Sequence, residues 1–171
     1  GGVVLRGGGA VTLDLGDVRT EGVGSNGIAT EGSNYSLIGG RVGSVTTPGD
    51  DPIGLYLYAD RIDLTGGSVT TLGDYSYGAY LNGYETVAFD FESVATSGYG
   101  STGVGGWAGG SFDLNVGAIS TRGDAAAGVD VLGDGDLTVR LVEVTTRGEA
   151  SDGVRLEGYG GGVISVEADE V

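Results

Sequence analysis

"TTLGDYSYGAYL", residues 70–81, reads on its own as a turn: two threonines, two glycines, an aspartate and little to pack. Near copies stand at 46–57 ("TTPGDDPIGLYL"), 120–131 ("STRGDAAAGVDV") and 145–156 ("TTRGEASDGVRL"). Anchored on the threonine before the first glycine, the copies fall at Thr20, Thr47, Thr71, Thr96, Thr121 and Thr146, in steps of 27, 24, 25, 25 and 25 residues. A glycine follows each anchor after two residues (Gly22, Gly49, Gly73, Gly98, Gly123, Gly148) and again after seven (Gly27, Gly54, Gly78, Gly103, Gly128, Gly153). A turn that recurs at a fixed distance belongs to an architecture that itself repeats.

The apolar residues fall into columns on the same count. Two before each anchor stand Val18, Val45, Val69, Val94, Ile119 and Val144, with Val171 in register as a seventh. Just after the second glycine come Ile28, Leu55, Ala79, Val104, Val129 and Val154, with Val3 ahead of them. Between these columns lie stretches of alternation: "VTLDL" (11–15), "VAFDF" (87–91), "FDLNV" (112–116), "LTVRL" (137–141) and "ISVEA" (164–168). Period two over five residues predicts a half-buried strand. "IGGRV" (38–42) and "IDLTG" (62–66) fill the same slot with glycine in place of one or two inward side chains. Each unit of about 25 residues thus holds three short strands and no helical period. The fold expected is all-β: a parallel β-helix, or β-solenoid, of about seven coils, each strand pairing with its equivalent one coil on. At the ~4.8 Å spacing of paired strands, seven coils make a rod roughly 34 Å long. The glycines at the two fixed corners are expected to supply positive φ or close backbone approach. The threonines are expected to satisfy local backbone groups there.

Composition narrows the chemistry. Glycine is 38 of 171 residues, yet without the three-residue period of collagen, and 39% hydrophobic content is too high for a disordered linker. The chain has no Cys, His, Met or Lys. Zinc, haem and iron–sulfur sites built on Cys or His are therefore excluded, as are thiol and Ser–His chemistries. The net charge of −16 leaves no basic footprint for nucleic acid or an anionic membrane surface. No apolar run approaches the ~20 residues of a membrane span, so direct insertion by this segment is not expected. The chain opens "GGVVLRGGG" without a signal peptide, and both ends fall in mid-coil without polar caps. Residues 1–171 are accordingly expected to be one repeat array, a piece of a longer protein or a subunit that stacks on copies of itself.

The unit V-T-T-x-G-D-x-x-x-G-V-x-L resembles the Gly/Thr/Asp/Ala-rich repeats of Gram-negative autotransporter passenger domains, especially the Lys-poor, acidic arrays of alphaproteobacterial surface proteins. The resemblance covers essentially the whole chain. It implies a right-handed β-helix, exported by a Sec signal and carried through the outer membrane by a C-terminal barrel. It also implies display on the bacterial cell surface as an adhesin or a spacer stalk. The "GDSGSP" of protease-type passengers is absent.

Three groups of residues are candidates for a site. Tyr56 and Tyr80 occupy the same outward position in adjacent coils; Tyr58, Tyr75, Tyr77, Tyr84 and Tyr99 lie near in the unrolled lattice, with Trp107 one coil on. Such a ladder suits sugar rings or a protein partner, because each ring joins apolar area to a polar handle. Cross-strand stacking that merely stabilises the sheet is the plainer reading. The residues carried forward as a binding site are Tyr56, Tyr58, Tyr75, Tyr77, Tyr80 and Trp107. Asp50, Asp51 and Asp74, on the corner after the threonine, are a candidate oxygen set for Ca²⁺. The nonapeptide of Ca²⁺-binding β-rolls is missing, which favours a solvated acidic corner. Asp14, Asp63, Asp90, Asp113, Arg41 and Arg140 face outward on the alternating strand. Asp90 and Asp113, in adjacent coils but offset by two residues, are the nearest approach to a paired-carboxylate hydrolase. The repeat lengths leave no long loop to build a cleft, which argues against an enzyme. Ice binding is disfavoured because the paired threonines are adjacent and point to different sides.

The function expected is a non-enzymatic, extracellular stalk or adhesive surface of a bacterial surface protein. It needs no cofactor, and its partner is a glycan or protein on a host or neighbouring cell. A self-stacking filament subunit is the alternative, and a polysaccharide-degrading β-helix the third reading.

Overall fold

The computed structural model describes residues 2–170, apart from the side chains of Ser33 and Glu170. Val171, the expected seventh member of the valine column, lies outside the described residues. Ten strands follow one another: β1 (Val3–Arg19), β2 (Ile28–Pro48), β3 (Ile53–Leu72), β4 (Tyr77–Ser97), β5 (Thr102–Ala108), β6 (Ser111–Arg122), β7 (Val129–Gly133), β8 (Leu137–Arg147), β9 (Val154–Gly158) and β10 (Ile164–Glu170). Every pairing is parallel and joins one coil to the next. The result is a β-solenoid of about seven turns of about 25 residues.

The three short strands expected per coil are present as three faces. In the first four coils they run without a break, as one strand bent around two edges: β3 alone carries Leu55, Ile62 and Val69. In the last three coils the turn between the first and second faces separates β5 from β6, β7 from β8 and β9 from β10.

The expected columns are the core. Ile28, Leu55, Ala79, Val104 and Val129 are all buried, as are Val45, Val69, Val94, Ile119 and Val144. The alternating stretches behave as their period requires: Phe112, Leu114 and Val116 point in while Asp113 and Asn115 point out. The glycine in "IDLTG" does not leave the packing weak. Gly66 lies opposite Phe91 of the next coil, and a Cβ there would sit 2.3 Å from Phe91 Cε1. Phe91 fills that space, stacked on Phe89 at 4.1 Å between ring centroids. The 27-residue coil is the irregular one. Register slips between Ala29 and Leu37 on β2, and Tyr35 turns inward with its hydroxyl unpartnered.

The corner after the threonine is more ordered than a loop. The first glycine column has positive φ throughout, 137° at Gly73 and 124° at Gly98, whereas in the second Gly27, Gly54, Gly78, Gly103 and Gly128 are held to glycine by crowding. A third column, four residues after the anchor, is also left-handed. Gly24 and Gly100 occupy it, but so do Asp51 (58°), Tyr75 (55°), Ala125 (54°) and Ala150 (53°). Main-chain bonds continue the ladder through the corner, with Gly73 N donating to Ser97 O at 2.9 Å and Tyr75 N to Tyr99 O at 2.8 Å. The threonine column points inward. Thr20 and Thr96 donate to the carbonyls of Ser25 (2.8 Å) and Ser101 (3.5 Å), while the hydroxyls of Thr47, Thr71 and Thr121 are buried without a partner.

Candidate functional site

The outward side of the first face carries two columns. Ala29, Tyr56, Tyr80, Gly105, Asp130 and Arg155 succeed one another in one. Tyr58, Asn82, Trp107, Leu132 and Glu157 form the other. Alternation within each strand puts these side chains out because Leu55, Leu57 and Ala59 point in. Four tyrosines meet here. Tyr56 stacks on Tyr80 at 5.9 Å with 18° between planes, and Tyr58 stands edge-on to Tyr56 at 5.0 Å. Tyr77 stands edge-on to Tyr80 at 5.2 Å. Gly105 makes this last placement possible, since a Cβ there would lie 2.8 Å from Tyr77 Cε1.

The four rings and Ile53 line a shallow hollow of about 290 Å³. The Tyr56 hydroxyl donates to that of Tyr58 at 3.1 Å. Burial, followed by this hydrogen bond, pushes the Tyr58 hydroxyl well above its ordinary value. Burial also raises Tyr77, with Tyr80 and Asp130 adding to it and a hydrogen bond with Thr102 opposing. Both phenols are therefore neutral donors over the whole physiological range.

Two of the six residues carried forward stand apart from this platform. Tyr75 sits on the corner, 60% exposed, edge-on to Tyr99 at 5.5 Å. Trp107 packs edge-on against Tyr84 at 6.2 Å, in the Tyr58 column two coils on. Ile53 lines the hollow and Asn82 stands next to Tyr58 in its column; neither was singled out from sequence. Ile53 belongs to no repeated column, though its pairing with Tyr77 is readable by counting back from the glycines.

The acidic corner has a structural employment. Asp74 N donates to Asp50 Oδ1 at 3.4 Å, Tyr99 N to Asp74 Oδ1 at 2.7 Å and Glu149 N to Asp124 Oδ1 at 2.8 Å. The carboxylate column thus accepts main-chain N–H groups from the next coil, which offsets the repulsion between neighbouring acids. Serines five residues after the anchor act alike: Ser101 Oγ accepts from Ser76 N and donates to Gly73 O at 2.9 Å. Among the described residues no group of three or more carboxylates is placed to hold a metal ion together, Asp50, Asp51 and Asp74 included. On the second face, Asp63, Asp90, Asp113 and Arg140 line one shallow hollow of about 340 Å³ with Asn115. Asp113 pairs with Ala88 and Asp90 with Asn115, the offset of two residues counted from sequence.

No protein-family model, curated protein or solved structure matches this chain.

Proposed function

We propose that this chain is a non-enzymatic stalk or adhesive segment of a bacterial surface protein, of the autotransporter-passenger kind its repeat resembles, working outside the cell. The observation that carries this reading is the uniformity of the coils. The threonine column stays in register from β2 through β8, and among the described residues no long insertion rises from a coil to wall a cleft. A rod of this kind derives stiffness from main-chain ladders and stacked side chains, without disulfides or metal. Its net charge of −16 opposes lateral aggregation. The tyrosine platform gathers four aromatic rings on one face, and in a longer array such surfaces would act multivalently. No resident cofactor is needed for this role.

The test is adhesion of the labelled chain to bacterial and host cells, compared with a Tyr56→Ala/Tyr80→Ala variant. The expected result is at least a tenfold loss of bound protein, with the β-sheet circular dichroism unchanged. Equal adhesion by a folded variant would remove the platform from the reading and leave only the stalk.

A further inference from the structure

We infer that the tyrosine platform takes a cationic, arginine-bearing extended segment of a partner protein; this deepens the adhesive reading and rests on it. The platform presents phenol rings at steep mutual angles, 65° between Tyr56 and Tyr58 and 75° between Tyr77 and Tyr80. Only Tyr56 and Tyr80, 18° apart, lie near parallel, so the four rings together offer no common plane for a flat, crystalline polysaccharide. They do offer separate π-faces around a shallow hollow, the arrangement that attracts a guanidinium or ammonium.

The surroundings carry the same sign. On one side the hollow is bounded by the corner that leads into Ile53 and Tyr77, bearing Asp50, Asp51 and Asp74; on the other, Asp60 lies two residues beyond Tyr58. Among the described residues, four of the eight arginines pair elsewhere, Arg6 with Glu31, Arg19 with Glu21, Arg61 with Glu85 and Arg155 with Asp130 and Glu157, and Arg41, Arg122, Arg140 and Arg147 form no ion pair. None of the four lateral aspartates carries an ion pair among the described residues, though Asp50 and Asp74 each accept a main-chain N–H, so the aromatic floor keeps net negative charge on its flanks. An anionic partner is repelled there and a neutral one gains nothing from the flanks. A cation gains from both floor and walls. Arginine suits the floor better than lysine, because its planar, weakly hydrated head stacks on aromatic faces. Adjacent coils repeat at ~4.8 Å, and an extended chain rises 3.2–3.4 Å per residue. Same-face residues of such a segment stand about 6.4–6.8 Å apart, so two arginines of a segment lying along the rod span little more than the two tyrosine coils.

Calorimetric titration of the chain with a hexa-arginine peptide tests this, with hexalysine and a neutral hexasaccharide, chitohexaose, as comparators. Hexa-arginine is expected to bind more tightly than hexalysine, and chitohexaose not to bind. The Tyr56→Leu/Tyr80→Leu variant should weaken hexa-arginine about tenfold, the loss of two ring–cation contacts, while Tyr56→Phe/Tyr80→Phe keeps it. Asp51→Asn/Asp60→Asn should weaken binding and flatten its salt dependence. Equal affinity for wild type and the leucine variant would reduce the effect to general acidity and overturn the inference, as would tighter binding of chitohexaose. If the leucine variant does not fold, amide shifts in wild type decide. Perturbation confined to Ile53–Tyr58 and Tyr77–Asn82 supports the site, and perturbation spread to Asp124 and Glu149 overturns it. Cell adhesion that needs the tyrosines, in a chain that ignores hexa-arginine, would defeat this inference while leaving the adhesive reading intact.

Discussion

The corner at 71–78 and the outward face at 53–58 and 77–82 are neighbours built on opposite rules. The corner's threonine and two glycines recur in all six copies, and where the acid and serine recur with them its residues hold one another from coil to coil: glycine against glycine, carboxylate against main-chain N–H, serine against carbonyl. The face does not repeat. Its tyrosines fill coils three and four, and the same columns carry Ala29 before them and Asp130 and Arg155 after. A position that repeats is one the stacking demands; a position that departs from the repeat is free to serve something else. The corner should therefore govern stability, and the face should barely affect it.

Glycine substitutions give the largest separation. At Gly73 φ is 137°, and a Cβ would stand 1.9 Å from Gly49 O, an atom of the neighbouring coil's main chain. Gly73→Ala must distort both coils, and a loss of about 4 kcal/mol is expected, near the upper end for single substitutions. At Gly78 the conformation is ordinary, and the obstacles are Val94 Cγ1 at 2.4 Å and Gly103 O at 2.6 Å. Gly78→Ala should cost about 2 kcal/mol, as overpacking does. Part of that loss should return when Val94→Ala is added, whereas Gly73→Ala should gain nothing from it. Thermal melts of the wild type, the three single variants and the two double variants measure this as a coupling, with the cost of Val94→Ala alone subtracted, and equal losses at the two glycines would break the distinction between backbone conformation and crowding.

The left-handed column runs the other way. Ala125 holds φ 54° where glycine stands in two other coils. Left-handed backbone costs an ordinary residue about 1–2 kcal/mol, and glycine's extra freedom in the unfolded chain costs about 0.5–1. Ala125→Gly should therefore stabilise by about 0.5–1 kcal/mol, and Ala150→Gly likewise. A melting temperature lowered by either would mean that the alanine methyl contributes packing at this corner.

These columns also show which parts of the molecule the sequence makes legible. Spacing alone identifies the anchors, the inward valines and the outward tyrosines, because a parallel coil maps equal counting onto equal position. It does not say why a glycine recurs: Gly73 and Gly78 are equally invariant among the six copies and differ only in φ and in what lies opposite. The left-handed column was hidden because Asp, Tyr and Ala break its pattern. Counting also placed Tyr75 beside Tyr77, yet between them the chain turns the corner and sends one ring to Tyr99 and the other to Tyr80. The Phe91 that fills the gap at Gly66 comes from the next coil, a compensation visible only once the register is fixed.

On the face, the expected effects on stability are small and show in their pH dependence. Tyr58→Phe at neutral pH removes one hydrogen bond, from Tyr56, and should cost about 0.5 kcal/mol. The hydroxyl's value is raised in the folded chain, chiefly by burial, so folding favours the neutral phenol. Below about pH 10, the ordinary tyrosine value, both states are neutral and the contribution is complete; as pH rises beyond it the unfolded chain ionises first and stability drains away. Tyr77 is shifted in the same direction and adds to the loss. The phenylalanine variant should thus start slightly less stable at pH 7 and fall less steeply between pH 9.5 and about 11.5, so that the two curves converge. Urea melts across that range would show it. Parallel curves would mean that the Tyr58 hydroxyl ionises as readily in the rod as in water, and that the floor of the hollow is wetter than its packing implies.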